Sequence, residues 1–242
     1  MGARRRDRGR LRPRLPAALI AASLLHSAPA GAMAFNLVGN TLIMSGPVVS
    51  DDLARLKDQL ATDKVKLVVL HQSPGGETWN ALQLARRIRD KGLPTAVSGT
   101  CASGCGLIFL GGVERSFSDG MPLAKTRVGL HGVRNVETNV ASQGVSAKVA
   151  YFIREMTAEK FPRELLDQTV YSKDPEDIVF VLPPKLLPKA PATGAVVKCP
   201  KPQDAKLKCE LIPGLDAMTI GVITNAQPLL LAAEVKAKLA NL

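Results

Sequence analysis

Aromatic side chains are scarce in this 242-residue chain, which holds one Trp, two Tyr and six Phe. A nucleic-acid surface that stacks bases needs rings beside its cations, and no such interleaving and no binding motif is present, so nucleic acid is excluded as a partner. Histidine is rarer still, with three in the whole chain, and the four cysteines fall in two separated pairs. Neither residue type has the ligand spacing of a zinc site, and no metal or cofactor is expected. No repeat of fixed period occurs. The apolar run Leu15–Leu25 would reach about 16 Å as a helix, against a hydrocarbon core of about 30 Å. It is too short to serve as an ordinary membrane span.

Seven arginines between Arg4 and Arg14 precede that run, and small residues follow it with Ala-x-Ala spacing at Ala28/Ala30 and Ala32/Ala34. A basic head, a short apolar stretch and a small-residue cleavage site make a secretory leader, assigned to residues 1–34, with no stable membrane insertion after its removal. The leader also explains the charge. The chain is +11 overall, but its 32 basic and 21 acidic residues become 25 and 20 without residues 1–34. Those that remain are scattered. A periplasmic or secreted location is expected, and an even number of cysteines suits two disulfides there. Cys199 and Cys209 bracket a Lys/Pro-rich loop and read as a hairpin staple, while Cys101 and Cys105 lie four residues apart.

Hydrophobic patterning divides the rest into a domain over 35–190 and a C-terminal extension over 191–242. A hairpin is predicted over 36–46, turning at Gly39-Asn40. A helix capped by Ser50 follows, with Leu53, Leu56 and Leu60 on one face. Lys66–His71 is a short apolar run suited to a strand buried on both faces. A helix then runs from about Glu77 to Lys91, with Trp79, Leu82, Leu84 and Ile88 inward and Gly92 at its end. A strand at Pro94–Ser98 and a helix at Gly104–Leu110 repeat the unit, and two such units in series imply an α/β fold with parallel strands. Strands at 114–118 and 127–131, and helices at 143–160 and 162–171, continue it. From Leu182 the chain turns Pro-rich and is expected to be loop-rich, closing with an amphipathic helix at 229–239.

Three places could carry chemistry. Ser73-Pro-Gly-Gly76 sits where a buried strand hands over to a helix, leaving backbone N–H groups free for an oxyanion. Cys101-Ala-Ser103-Gly-Cys105 places a serine at a strand-to-helix turn, as a nucleophile elbow does, although cysteines occupy the glycine places of G-x-S-x-G. Arg127-Val-Gly-Leu-His131-Gly132 ends a strand on a histidine. With His26 in the leader, His131 is the best base for Ser103, and His71 is the fallback.

The order and spacing of these motifs, over roughly residues 36–187, resemble the Clp protease proteolytic subunit, within the wider crotonase-like fold. The resemblance implies a spiral of ββα units with a largely parallel sheet, assembly into homo-oligomers, and a Ser-His-Asp triad. Carried over, Ser103 is the nucleophile, His131 the base, and the amides of Gly76 and Gly104 the oxyanion hole. Asp177 is the acid, with Asp174 and Asp167 in reserve. Peptides or unfolded segments are the implied substrates, and an exported chain would work without a cytosolic ATPase partner. The Ser-Pro-Gly-Gly and Ala-Ser-Gly pairing is also similar to signal peptide peptidase A, which uses a Ser-Lys dyad. Two further readings are a catalytically silent scaffold or peptide-binding protein, and an acyl-CoA enzyme, which an exported chain would seldom supply with coenzyme A.

Overall fold

The computed structural model describes residues 31–134, 140, 142–172, 177–187, 191–200 and 209–242. Most of the leader, residues 1–30, lies outside the described residues, and so does Asp174. The expected boundary at 34/35 falls inside the first strand, β1 (Ala34–Val38). Met33 is 0% exposed, and its carbonyl accepts a 2.6 Å hydrogen bond from Arg55 Nη1. Residues just before the expected boundary therefore belong to the folded unit. Among the described residues, no helix is long and apolar enough to cross a membrane.

The hairpin forms as its Gly39-Asn40 turn predicts, with β1 antiparallel to β2 (Thr41–Ser45). Parallel strands follow: β3 (Leu67–Ser73) on β2, then β4 (Thr95–Ala102) on β3. The connecting helices are α1 (Asp52–Gln59) and α2 (Thr78–Asp90). Helix α2 buries Ala81, Leu82, Leu84, Ala85 and Ile88 along one stripe. It ends because Gly92 adopts φ +63°, which lets Gly92 N–H reach Arg89 O and Leu93 N–H reach Ile88 O. Paired bonds of this kind satisfy the last carbonyls of a helix. Trp79 departs from the expectation. It sits on the flank of the stripe, is 55% exposed, and has the Lys148 ammonium 5.2 Å above its ring.

Strand β4 is forked. Thr95–Val97 pair with β5 (Arg115–Phe117), whereas Thr100–Ala102 pair with β6 (Arg127–His131), both in parallel. Helix α3 (Gly104–Leu110) connects the fork to β5 and is buried along its whole length. Helices α4 (Gln143–Met156) and α5 (Arg163–Thr169) pack on the same side of the sheet. The chain then returns through β7 (Ile178–Leu182), antiparallel to β6.

Beyond residue 191 the expected loop-rich extension carries regular structure. Strands β8 (Ala195–Cys199) and β9 (Glu210–Asp216) extend the same sheet in antiparallel fashion, and the Cys199–Cys209 disulfide joins them. No proline lies in β8, and Pro213 inside β9 falls where the register shifts between the Leu211 and Asp216 pairings, an irregular position at which proline is tolerated. The chain then runs past β5 and ends in α6 (Ala233–Leu239). Leu231, Val235 and Leu239 cover Ile43, Val69 and Ala96 on the sheet face opposite α1–α5. Burial of three such side chains contributes on the order of 2 kcal/mol each. The result is a mixed α/β fold with one central sheet and helices on both faces, in which β8, β9 and α6 are integral parts.

Candidate active site

Ser103 stands between the end of β4 and the first residue of α3, with φ +58° and ψ −128°. A side chain in that region costs about 1–3 kcal/mol, and such strain persists only where the surroundings over-determine it. The surroundings here are specific. Ser103 N–H donates to Gly129 O at 2.9 Å, tying the elbow to β6. The Cys101–Cys105 disulfide closes across it, with both cysteines fully buried. From the other side, the Ser73-Pro-Gly-Gly turn presses in. A Cβ at Gly75, itself at φ +88°, would lie 2.5 Å from Ala102 O and Gly104 N and 2.7 Å from Ser103 Cβ. Only glycine permits that approach.

The turn's own hydrogen bonds bear on the site. Val48 N–H donates to Gly75 O and Glu77 N–H donates to Val48 O, while Gly75 N–H donates to Ser73 Oγ. Among the described residues, the N–H groups of Gly76 and Gly104 have no acceptor. The two glycines are neighbours, since a Cβ on Gly104 would be 3.3 Å from Gly76 N. Two unpaired amides therefore flank the serine at the start of a helix.

A cleft of about 680 Å³ opens over these groups, and its lining includes Gly75, Gly76, Ser103, Gly104 and His131. The pairing of Ala102 with Gly129 is what brings His131, two residues further along β6, to the elbow. Leu107, Leu130, Val133 and Ile153 form its apolar walls, and Glu77 and Arg134 add one charge of each sign. No lysine is among the described residues that line it.

His131 Nδ1 lies 2.6 Å from Gly132 O. A carbonyl only accepts, so Nδ1 carries the proton and Nε2 keeps its lone pair. Burial pulls the imidazole pKa below its ordinary value, the Gly132 carbonyl opposes that shift, and the Arg134 charge adds to it. The neutral ring is thus favoured. No hydrogen bond joins Ser103 Oγ to the ring among the described residues. Gly132 itself is packed against α5, where a Cβ would meet Val170 O at 2.8 Å.

The remaining expected residues lie elsewhere. Asp177 adjoins Ile178, the β7 partner of His131, but its Oδ2 accepts from Ser172 Oγ at 3.0 Å and pairs with Lys198 Nζ at 2.8 Å. Among the described residues it makes no hydrogen bond to the imidazole. Asp167 is exposed on α5. His71 is buried, lies 3.2 Å from Ser98 Oγ through Nδ1, and does not line the cleft. Sequence reasoning missed the Gly132 carbonyl, because a backbone acceptor leaves no trace in side-chain identity. It also missed Glu77 and Arg134 as cleft residues. Glu77 could have been found, since it directly follows the glycine turn.

No family model and no curated protein matches the chain. Solved structures similar to it include a ClpP1 mutant from Listeria monocytogenes, at 13% identity over 81% of this chain and 95% of that one, with a TM-score of 0.48. A mutant of the 1510-N membrane-bound stomatin-specific protease is similar at 15% identity over 58% and 75%, with a TM-score of 0.40. A putative enoyl-CoA hydratase from Streptomyces coelicolor A3(2) is similar at 12% identity over 93% and 76%, with a TM-score of 0.43. At such identities and superpositions, none of them decides what this cleft does.

Proposed function

We propose that the chain is a serine peptidase in which Ser103 is the nucleophile and His131 the general base. The observation that carries this reading is the meeting, in one cleft, of a strained Ser103, a neutral His131 and the unpaired amides of Gly76 and Gly104. In the proposed reaction, Nε2 takes the hydroxyl proton as Oγ bonds to the substrate's carbonyl carbon. The oxygen that gains charge faces the two amides. The imidazolium then gives its proton to the leaving amine, the carbon–nitrogen bond breaks, and an acyl-enzyme remains for water to hydrolyse by the reverse sequence. The Gly132 carbonyl orients the ring, so the working unit is a Ser-His pair. Asp177 stands outside it, held by Lys198.

Peptides or unfolded segments with an apolar side chain suit the walls made by Leu107, Leu130, Val133 and Ile153. Export, self-association and independence from an ATPase partner belong to the same proposal. Two disulfides support an oxidising compartment. Leader removal after Ala30 would preserve the buried Met33, whereas removal after Ala34 would strip it from the core.

A silent binding protein is the second reading, favoured by the missing bond between Ser103 and His131. Labelling with a fluorophosphonate probe separates the two. Wild type is expected to label, Ser103→Ala not at all, and His131→Ala about 10²–10⁴-fold more slowly. A folded wild-type protein that stays unlabelled, with and without reductant, would sink the peptidase reading.

A further inference from the structure

Away from the cleft, Arg115 is buried without a carboxylate partner and Arg89 stands half-buried near it. Arg115 on β5 is 4% exposed. Its Nε donates to Val222 O at 2.9 Å, Nη1 to Gly112 O at 2.6 Å and Nη2 to Gly221 O at 2.7 Å. Carbonyls supply dipoles to a guanidinium but no countercharge. Burial, and secondarily the charge of Arg89, lower the Arg115 pKa to about 10. Arg89 on α2 donates through Nη2 to Leu110 O at 2.8 Å and Met156 O at 3.4 Å. Its Nε is buried with no partner.

Both arginines line one cavity of about 260 Å³, together with Lys160, Thr157 and Thr224. Lys160 is exposed at its rim, and its ammonium has no ion pair or hydrogen bond among the described residues. None of the residues lining the cavity is acidic. Glu155 binds Arg86 through both oxygens and pulls on Arg89 only from a distance, Glu159 pairs with Arg154, and Asp216 takes the amides of Met218 and Thr219. An isolated buried charge costs several kcal/mol unless it is paired. Here two guanidinium groups and an ammonium line one space that has no carboxylate among its described lining residues, and Glu155 acts on Arg89 from outside it.

We propose that this cavity binds a small tetrahedral oxoanion, with Arg89, Arg115 and Lys160 as its cationic ligands. Guanidinium groups with unused N–H donors match the paired oxygens of such an anion. Thr224 Oγ1 accepts from Arg115 N–H at 2.8 Å and keeps its own proton for an anion, whereas the Thr157 hydroxyl already donates to Ile153 O. The cavity shares no lining residue with the catalytic cleft, so the proposal stands or falls independently of the peptidase reading.

The test is thermal unfolding of the full folded chain in inorganic phosphate against chloride at equal ionic strength, followed by titration. Phosphate is expected to raise Tm saturably, because a ligand that binds only the folded state stabilises it by mass action. Lys160→Ala, on the surface, should leave Tm in chloride unchanged and weaken phosphate binding about tenfold. Arg89→Lys keeps the charge, loses the fork, and should weaken it similarly. Equal melting in the two salts would overturn the proposal. So would a saturable shift that both variants leave intact, since phosphate would then sit elsewhere. Acetate binding as tightly as phosphate would overturn the choice of a tetrahedral anion.

Discussion

The two walls of the Ser103–His131 cleft are built differently. On the serine side, strand, elbow, helix and glycine turn interlock: Gly75 leaves no room for a Cβ, Ser103 N–H is tied to Gly129, and the Cys101–Cys105 disulfide spans the bend. On the histidine side, one hydrogen bond to the neighbouring carbonyl sets the ring, and Asp177 is turned to Lys198. The serine is therefore positioned by backbone that cannot move without breaking the sheet. The imidazole is positioned by a local contact that costs little to rearrange. If the proposed chemistry is right, errors on the first wall should be far more damaging than errors behind the second.

The largest expected effect is at Gly75. Gly75→Ala should lower Tm by roughly 5–10 °C and slow fluorophosphonate labelling about 10²–10³-fold, the loss seen when an oxyanion donor is displaced. A near wild-type labelling rate would break the comparison. Next comes pH. Burial holds the His131 pKa below 6.5, so the neutral base persists to lower pH. Labelling should be flat above pH 6.5 and fall about tenfold per unit below a midpoint under that value. Stability should fall in the same window. The folded state keeps His131 and His71 neutral, whereas the unfolded chain takes up protons first as pH drops through about 6.5. A midpoint above 7 in the labelling profile would reveal a carboxylate behind the ring.

Smaller effects sharpen the contrast. Replacing both Cys101 and Cys105 by Ala removes a cross-link worth about 2 kcal/mol by loop-closure entropy, so calorimetry should show a modest drop in Tm. Labelling should slow several-fold, and an unchanged rate would mean that glycine packing alone holds the elbow. Smallest is Asp177→Asn, expected to change the labelling rate less than about twofold while loosening the link from β7 to Lys198 on β8. A loss of tenfold or more would restore the carboxylate to the catalytic unit.

Much of the first wall was legible in the sequence. A buried strand followed by Pro-Gly-Gly, and a serine among small residues before an apolar helix, are local patterns, and local patterns fix local geometry. The early hairpin, α2, α3 and both cystines follow from the same kind of reading. What was not legible depends on partners distant in the chain. The fork of β4 into β5 and β6 joins strands well apart in sequence, and nothing in Thr95–Ala102 announces it. Trp79 looked like an inward residue from its spacing and proved to sit on the helix flank. The prolines around β8 and within β9, at Pro213, mask the short apolar run Ala195–Cys199, so composition points to a loop where the sheet continues. The acid was placed by its distance in sequence from His131, which says nothing about where a side chain turns once Lys198 stands beside it.

The late position of α6 has a consequence for how this chain matures. Ile43, Val69 and Ala96 belong to the first hundred residues, yet their cover arrives with Leu231, Val235 and Leu239. A growing polypeptide leaves that greasy floor uncovered until residues 231–239 can fold back on it, since contacts so far apart in sequence are slow to form. Until then β2, β3 and β4 carry one bare face, and the strand that leads to Ser103 is packed on one side alone.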